Sequence, residues 1–235
     1  MKKISGIKAI SFDGDQTLWD FRKVMRHSLH LTLKELEQVD PRAATLLDID
    51  KMIEIRDRVA EELKDQVTNM EDIRLEAFRQ TLAEIGRPDD TLASHLTRFY
   101  LKHRFDDIEL YEDVLPTLQK LKGTYSLGLL TNGNSYPERC GLEGIFQFTV
   151  FSQDYGVEKP DPKFYQIAVE KAGCLREELF HVGDSLRKDV IGAIDAGIKC
   201  AWLNRDRIEN ASGIEIEYEI KSLSELLDIL PDISN

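Results

Sequence analysis

A chain of 235 residues with 42% hydrophobic side chains can bury the core of one large domain, or of a medium domain and a smaller one. Its net charge of -12 at pH 7 argues against nucleic acid or an anionic membrane surface as partner, since both reward clustered basic residues. Three cysteines, Cys140, Cys174 and Cys200, are an odd number without a Cys-x-x-Cys spacing, which argues against a disulfide framework or a structural zinc site.

The first residues, Met1 to Gly6, carry two lysines but no apolar stretch of signal-peptide length, and no later window reaches membrane-spanning length. The expectation is a soluble, cytoplasmic protein with no membrane partner. Ile7 to Phe12 reads as a short buried strand, bounded by Gly6 and Asp13. From Asp20 to about Asp107 the pattern turns helical. One helix is expected over Lys23 to Gln38, and a second from about Asp50 to Gln66 on Met52, Ile55, Val59 and Leu63. A third spans Glu71 to Ile85, stopped by Gly86 and Pro88, and a fourth starts near Asp89 or Asp90. Four amphipathic helices with short connections suggest a small bundle.

Beyond Tyr111, helices and apolar strands alternate. Strands are expected at Tyr125 to Leu130, Phe148 to Phe151, Leu179 to Val182, Ile198 to Leu203 and Ile216 to Ile220. Helices are expected at Val114 to Lys122, Pro162 to Ala172, Lys188 to Ala196 and Leu223 to Leu230. Such alternation specifies an α/β fold, a doubly wound, Rossmann-like parallel sheet covered on both faces. The helical stretch then reads as an inserted helical-bundle cap domain at 20–107, and 1–19 with 108–235 as the α/β catalytic core.

In open α/β sheets ligands bind beyond the carboxyl ends of the strands, where strand order reverses. Polar groups fall at those ends: Asp13-Gly14-Asp15 after the first strand, Thr131-Asn132 after the second, Glu158-Lys159-Pro160 after the third and Gly183-Asp184 after the fourth. Taken singly, Asp13-Gly14-Asp15 is a turn with solvated acids, Lys159 a surface lysine, Thr131-Asn132 a cap and Asp184 an N-cap. A calcium loop fails, because Leu18 and Val24 stand where its glycine and glutamate belong. Together the groups suit phosphoryl transfer. A carboxylate can attack phosphorus, and a second acid can protonate the leaving oxygen and later activate water. Asp13, Asp184 and a backbone carbonyl can offer Mg²⁺ its oxygen ligands. A threonine hydroxyl, backbone amides and a lysine can neutralise phosphoryl oxygens.

The same residues resemble the haloacid dehalogenase superfamily in four ordered blocks. These are Asp13-Gly14-Asp15-Gln16-Thr17, Thr131 in Leu129-Leu130-Thr131-Asn132-Gly133, Lys159 in Val157-Glu158-Lys159-Pro160, and Gly183-Asp184-Ser185-Leu186-Arg187-Lys188-Asp189. The resemblance implies Asp13 as nucleophile and Asp15 as general acid and base, with Thr131 and Lys159 on the phosphate and Asn132 contacting it through its amide. It implies Mg²⁺ on Asp13, the carbonyl of Asp15 and Asp184, with Asp189 a ligand or an orienter. Gln16 departs from the fillers Gly, Asn or Asp, and Gly14 is an unusual filler that would loosen the backbone.

The expected function is a Mg²⁺-dependent phosphatase of a small phosphorylated metabolite, a sugar phosphate or nucleotide monophosphate, acting through an aspartyl-phosphate intermediate. A phosphomutase or dehalogenase on the same scaffold, or a non-catalytic phosphate-binding protein, stands as the alternative. Asp15 argues against a dehalogenase of this family, which lacks the second acid. Trp19 and Phe21 divide evenly between lining a pocket and packing. Arg22 and Arg26 are anchors for an anionic substrate or solvated helix residues. His181 reads as structural. The sequence assigns no oligomeric state.

Overall fold

The computed structural model describes residues 3–64 and 66–231. It divides into two compact units, Met1–Asp20 with Glu109–Asn235, and Phe21–Ile108.

The first unit is built on a parallel sheet. Among the described residues it has six strands, β1 (Ala9–Phe12), β2 (Ser126–Thr131), β3 (Phe148–Phe151), β4 (Leu179–Gly183), β5 (Lys199–Leu203) and β6 (Glu219–Ile220), in the order β3-β2-β1-β4-β5-β6. This is the doubly wound order, and it reverses between β2-β1 and β4. β1 is buried along its whole length because it lies between β2 and β4, with Ser11 opposite Gly128 on one side and His181 on the other. A strand so placed can be apolar at every position and still satisfy its backbone in both ladders.

The second unit, Phe21–Ile108, is helical: α1 (Phe21–Val39), the short α2 (Ala43–Leu46), α3 (Ile49–Glu62), α4 (Met70–Glu84) and α5 (Asp90–Asp106). Asp48, Asn69 and Asp89 start α3, α4 and α5, each side chain accepting a backbone N–H of the first turn. Leu29, Leu36, Met52, Phe78, Leu82, Leu96 and Tyr100 form its main core, and Ile55, Val59, Ile73 and Ala77 a satellite. The second expected helix stops at Glu62, short of Gln66, and residue 65 lies outside the described residues, as do Met1, Lys2 and 232–235.

Helices of the first unit are α6 (Val114–Leu121), α7 (Ser152–Tyr155), α8 (Pro162–Ala172), α9 (Gly192–Asp195) and α10 (Leu226–Ile229). α8 begins as its sequence dictates, with Asp161 accepting from the Lys163 N–H and Pro162 in the first turn. Phe164 and Tyr165 pack it against Val150, Val190 and Trp202. The helix expected at Lys188 to Ala196 is instead a π-helical segment, Leu186–Ile191, running into α9. The expected strand at Ile216 to Ile220 shrinks to Glu219–Ile220. Leu223 to Leu230 divides into a 3₁₀ turn followed by α10.

Candidate active site

The turn after β1 carries the first acids. Thr17 N and Leu18 N both donate to Gly14 O, at 3.1 and 2.8 Å, and Gln16 N donates to Trp19 O at 2.8 Å. Closing the turn puts Gln16 at φ 64°, a left-handed conformation that costs a non-glycine residue about 1–2 kcal/mol. Gly, Asn and Asp accept that conformation most readily, a physical reason for those fillers at this position.

Gly14 makes room for Trp19, because a Cβ there would lie 2.8 Å from the indole ring. Trp19 is fully buried and its Nε1 donates to Asp15 Oδ1 at 2.8 Å, so the one ring both packs and orients the second acid. Gly14→Ala is expected to displace the indole and destabilise the protein by about 1–3 kcal/mol. Urea unfolding followed by tryptophan fluorescence measures this, and an unchanged midpoint would refute the packing argument. Asp15 also faces the turn after β2, where its Oδ2 lies 3.2 Å from the place a Cβ on Gly133 would take.

Asp13 stands at the end of β1 with Lys159 against it. The Lys159 ammonium reaches Asp13 Oδ1 at 2.5 Å, Asp189 Oδ1 at 2.6 Å and the Leu130 carbonyl at 3.0 Å, which occupies all three of its protons. The side chain is 1% exposed. Burial alone would drive off its proton, but Asp13 and Asp189 outweigh that and raise its pKa. Lys159 is held from the backbone by Asn132, whose Oδ1 accepts the Lys159 N–H and whose Nδ2 donates to the Lys159 carbonyl, both at 2.9 Å. The Lys159–Pro160 peptide is cis. Thr131 is buried, and its Oγ1 accepts the Gly133 N–H at 2.9 Å while its own proton remains to be donated.

Asp189 lies in the π-helical turn. Its Oδ2 accepts the Ser185 N–H at 2.9 Å, and its Oδ1 takes Lys159 and, at 3.2 Å, His181 Nε2. A Cβ on Gly183 would sit 2.3 Å from Asp189 Cγ, so this carboxylate closes directly over the backbone of β4. Burial opposes its charge, yet Lys159 and His181 hold its carboxyl well below the usual range. Burial lowers the pKa of His181. A neutral ring that donates from Nε2 to Asp189 accepts at Nδ1 from the Ser11 hydroxyl, 2.9 Å away. Thr17 Oγ1 stands between Asp13 Oδ2 (3.4 Å) and Asp184 Oδ1 (3.5 Å). Arg205 steadies that turn, donating to Thr17 O at 3.1 Å while pairing both Nη atoms with Asp113 at 2.9 Å.

Asp13, Asp184 and Asp189 each place a carboxylate oxygen so that the three lie within 4.8 Å of one another. Burial pushes Asp13 well above the ordinary carboxylate range. Lys159 pulls it back, and Asp189 and Asp184 push it further up. One ammonium therefore does not balance this group of acids, and an oxygen-only donor set of this kind fits a hard divalent cation.

The candidate residues on the β-sheet unit thus converge at one end of the sheet, by the reversal in strand order. Ser11, Trp19 and His181 adjoin them: His181, which reads as structural, braces Asp189 at 3.2 Å, and Trp19, which reads evenly as pocket lining or packing, is buried against Gly14 and Asp15. The signal for Ser11 and His181 was polar side chains inside fully buried strands, which cost free energy unless paired. Arg26 pairs with Asp50 at 2.8 Å on the exposed face of its helix.

The fold is a doubly wound parallel α/β sheet, with three clustered carboxylates and one buried lysine at the carboxyl ends of its strands. The chain belongs to the haloacid dehalogenase-like hydrolases, whose family model matches residues 7–197. It is 28% identical to a glyceraldehyde 3-phosphate phosphatase of Methanopyrus kandleri, over 97% of this chain and 99% of that one. It is 27% identical to the pyrimidine 5'-nucleotidase PynA of Streptococcus pneumoniae, over 95% and 94%. The fold matches a 2-haloacid dehalogenase from Pseudomonas syringae pv. Tomato DC3000 with a TM-score of 0.79 at 29% identity, covering 95% of this chain and 97% of that one.

Proposed function

We propose that the protein is a Mg²⁺-dependent phosphatase of a small phosphorylated metabolite, a sugar phosphate or a nucleotide monophosphate. The observation that carries this reading is the contact of Lys159 with Asp13, 2.5 Å apart among three clustered carboxylates. The relatives named as phosphatase and nucleotidase support it from a separate direction.

Asp13 attacks phosphorus and the ester oxygen leaves, taking a proton from Asp15. Asp15, returned to its carboxylate form, then accepts a proton from the water that cleaves the aspartyl phosphate and releases inorganic phosphate. Trp19 fixes the rotamer of Asp15 for both transfers. Lys159 and the Thr131 hydroxyl counter negative charge as it builds on the phosphoryl oxygens, with Asn132 setting the backbone of Lys159. Mg²⁺ would be held by Asp13 and Asp184 together with the Asp15 carbonyl, and when bound it supplies charge neutralisation of the phosphoryl group. Asp189, whose two oxygens already take three donors, orients Lys159. The helical unit, inserted between the first two motif blocks, acts as the cap that selects the leaving group.

The structural relative named as a dehalogenase is set aside on Asp15, the acid that a phosphate ester needs for its leaving group. A panel of sugar phosphates and nucleotide monophosphates with Mg²⁺ tests the proposal. Phosphate release that EDTA abolishes and Mg²⁺ restores is expected. Isomerisation without release would replace it with a mutase, and no turnover of any member would leave only binding.

A further inference from the structure

Two polar side chains inside the sheet take no part in the chemistry proposed above. Ser11 on β1 and His181 on β4 are fully buried and stand opposite each other in the parallel register. His181 shares a face of β4 with Gly183, over whose backbone the Asp189 carboxylate closes. The Ser11 hydroxyl is 2.9 Å from His181 Nδ1, and His181 Nε2 is 3.2 Å from Asp189 Oδ1. An ionised carboxylate has no proton to give, so Nε2 donates to it and Nδ1 accepts from the serine. Tyr165 closes another side of the ring in a T-shaped contact, centroids 5.5 Å apart, while its hydroxyl donates to the Lys188 carbonyl at 2.5 Å.

Asp189 is thereby held at both oxygens. The Ser185 N–H takes Oδ2 at 2.9 Å, and His181 takes Oδ1, the oxygen that also accepts from Lys159 at 2.6 Å. The terminal torsion of an aspartate is broad, so hydrogen bonds set the plane of its carboxylate. That plane matters because Lys159 directs its three protons at Asp13, Asp189 and the Leu130 carbonyl. When Asp13 attacks phosphorus its carboxylate becomes the neutral carbonyl group of an acyl phosphate, a weaker acceptor. The proton facing it can then turn to a phosphoryl oxygen, provided that Asp189 and Leu130 keep the ammonium in place.

We propose, on the phosphatase reading above, that His181, held by Ser11, is a positioning residue: it fixes Asp189 so that Lys159 stays aimed at the phosphoryl group. Positioning needs a donor at the place of Nε2. Burial of polar groups for the sake of the fold alone would not distinguish that place from Nδ1.

Steady-state kinetics with Mg²⁺ and the panel member that the native chain hydrolyses fastest test this. Glutamine carries its amide nitrogen as many bonds from Cβ as Nε2, and asparagine as many as Nδ1, so His181→Gln keeps a donor for Asp189 and His181→Asn does not. His181→Gln is expected to lose only about threefold in kcat and His181→Asn about 10–100-fold, the usual effect of losing a partner that orients a functional side chain. KM should change less than about threefold in both, because the aim of Lys159 matters most as charge builds in the transition state. Both are assayed well below their thermal midpoints, so that the folded fraction does not enter kcat. Should either fail to fold, Ser11→Ala decides in their place, with kcat expected to fall about tenfold at native KM. Equal kcat in the Gln and Asn variants, a rise in KM in place of the fall in kcat, or native kcat in Ser11→Ala where that variant decides, overturns the proposal and leaves the phosphatase reading standing. No turnover of any panel member by the native chain removes both.

Discussion

Asp13→Asn is expected to lower turnover by about 10⁴-fold or more, because an amide cannot form the acyl phosphate on which both half-reactions depend. The fold should not suffer. Asn keeps an oxygen for the Lys159 ammonium, and the substitution removes a negative charge that burial and the acids Asp189 and Asp184 already disfavour. The thermal midpoint should therefore equal or exceed that of the native chain. Acid quench of the native enzyme during turnover of ³²P-labelled substrate should leave label on the peptide containing Asp13, and the variant should carry none. Near-native turnover, or label recovered on another carboxylate, would remove Asp13 from the role of nucleophile.

That test begins from residues that were legible in the chain itself, and the reason is geometrical. A buried parallel strand is apolar throughout, so an acid at its end stands out. Asp13 after β1 and Asp184 after β4 mark the reversal in strand order by their positions alone. Thr131 stands out in the same way at the end of β2, whereas Lys159 lies in the segment after β3, beyond α7. What the sequence could not carry was contact between residues far apart along it. Ser11 and His181 are 170 positions apart and meet only because β1 pairs with β4 in that register. The space for Trp19 is made by the missing side chain of Gly14, an effect invisible without coordinates. Asp189 escaped full assignment because its segment winds as a π-helix, where helical spacing no longer tells which way a side chain turns.

Lys159→Met carries the largest expected loss of stability. The substitution keeps length and apolar stem while removing the one ammonium between Asp13 and Asp189, both buried. Removing one partner of a buried ion pair costs about 3–5 kcal/mol, because the remaining charge is left without compensation. Turnover should fall by about 10²–10³-fold as well, the usual effect of losing one charge-stabilising donor. The pH dependence identifies the cause. In the native chain Asp189 lies well below its ordinary pKa, so its contribution is present above the unfolded value and is lost as pH falls. Asp13 already stands above its unfolded value in the native chain; without Lys159 it rises further, and Asp189 moves above its own. The native state of the variant then binds more protons than its unfolded state, and its stability increases as pH falls. The gap in unfolding free energy between native chain and variant should therefore be widest at mildly alkaline pH and narrow towards pH ~5, a range set by carboxylate titration. Urea unfolding at several pH values measures it. A gap that stays constant with pH would mean that Lys159 stabilises the protein through its packing and its bond to the Leu130 carbonyl, with the two carboxylates contributing nothing.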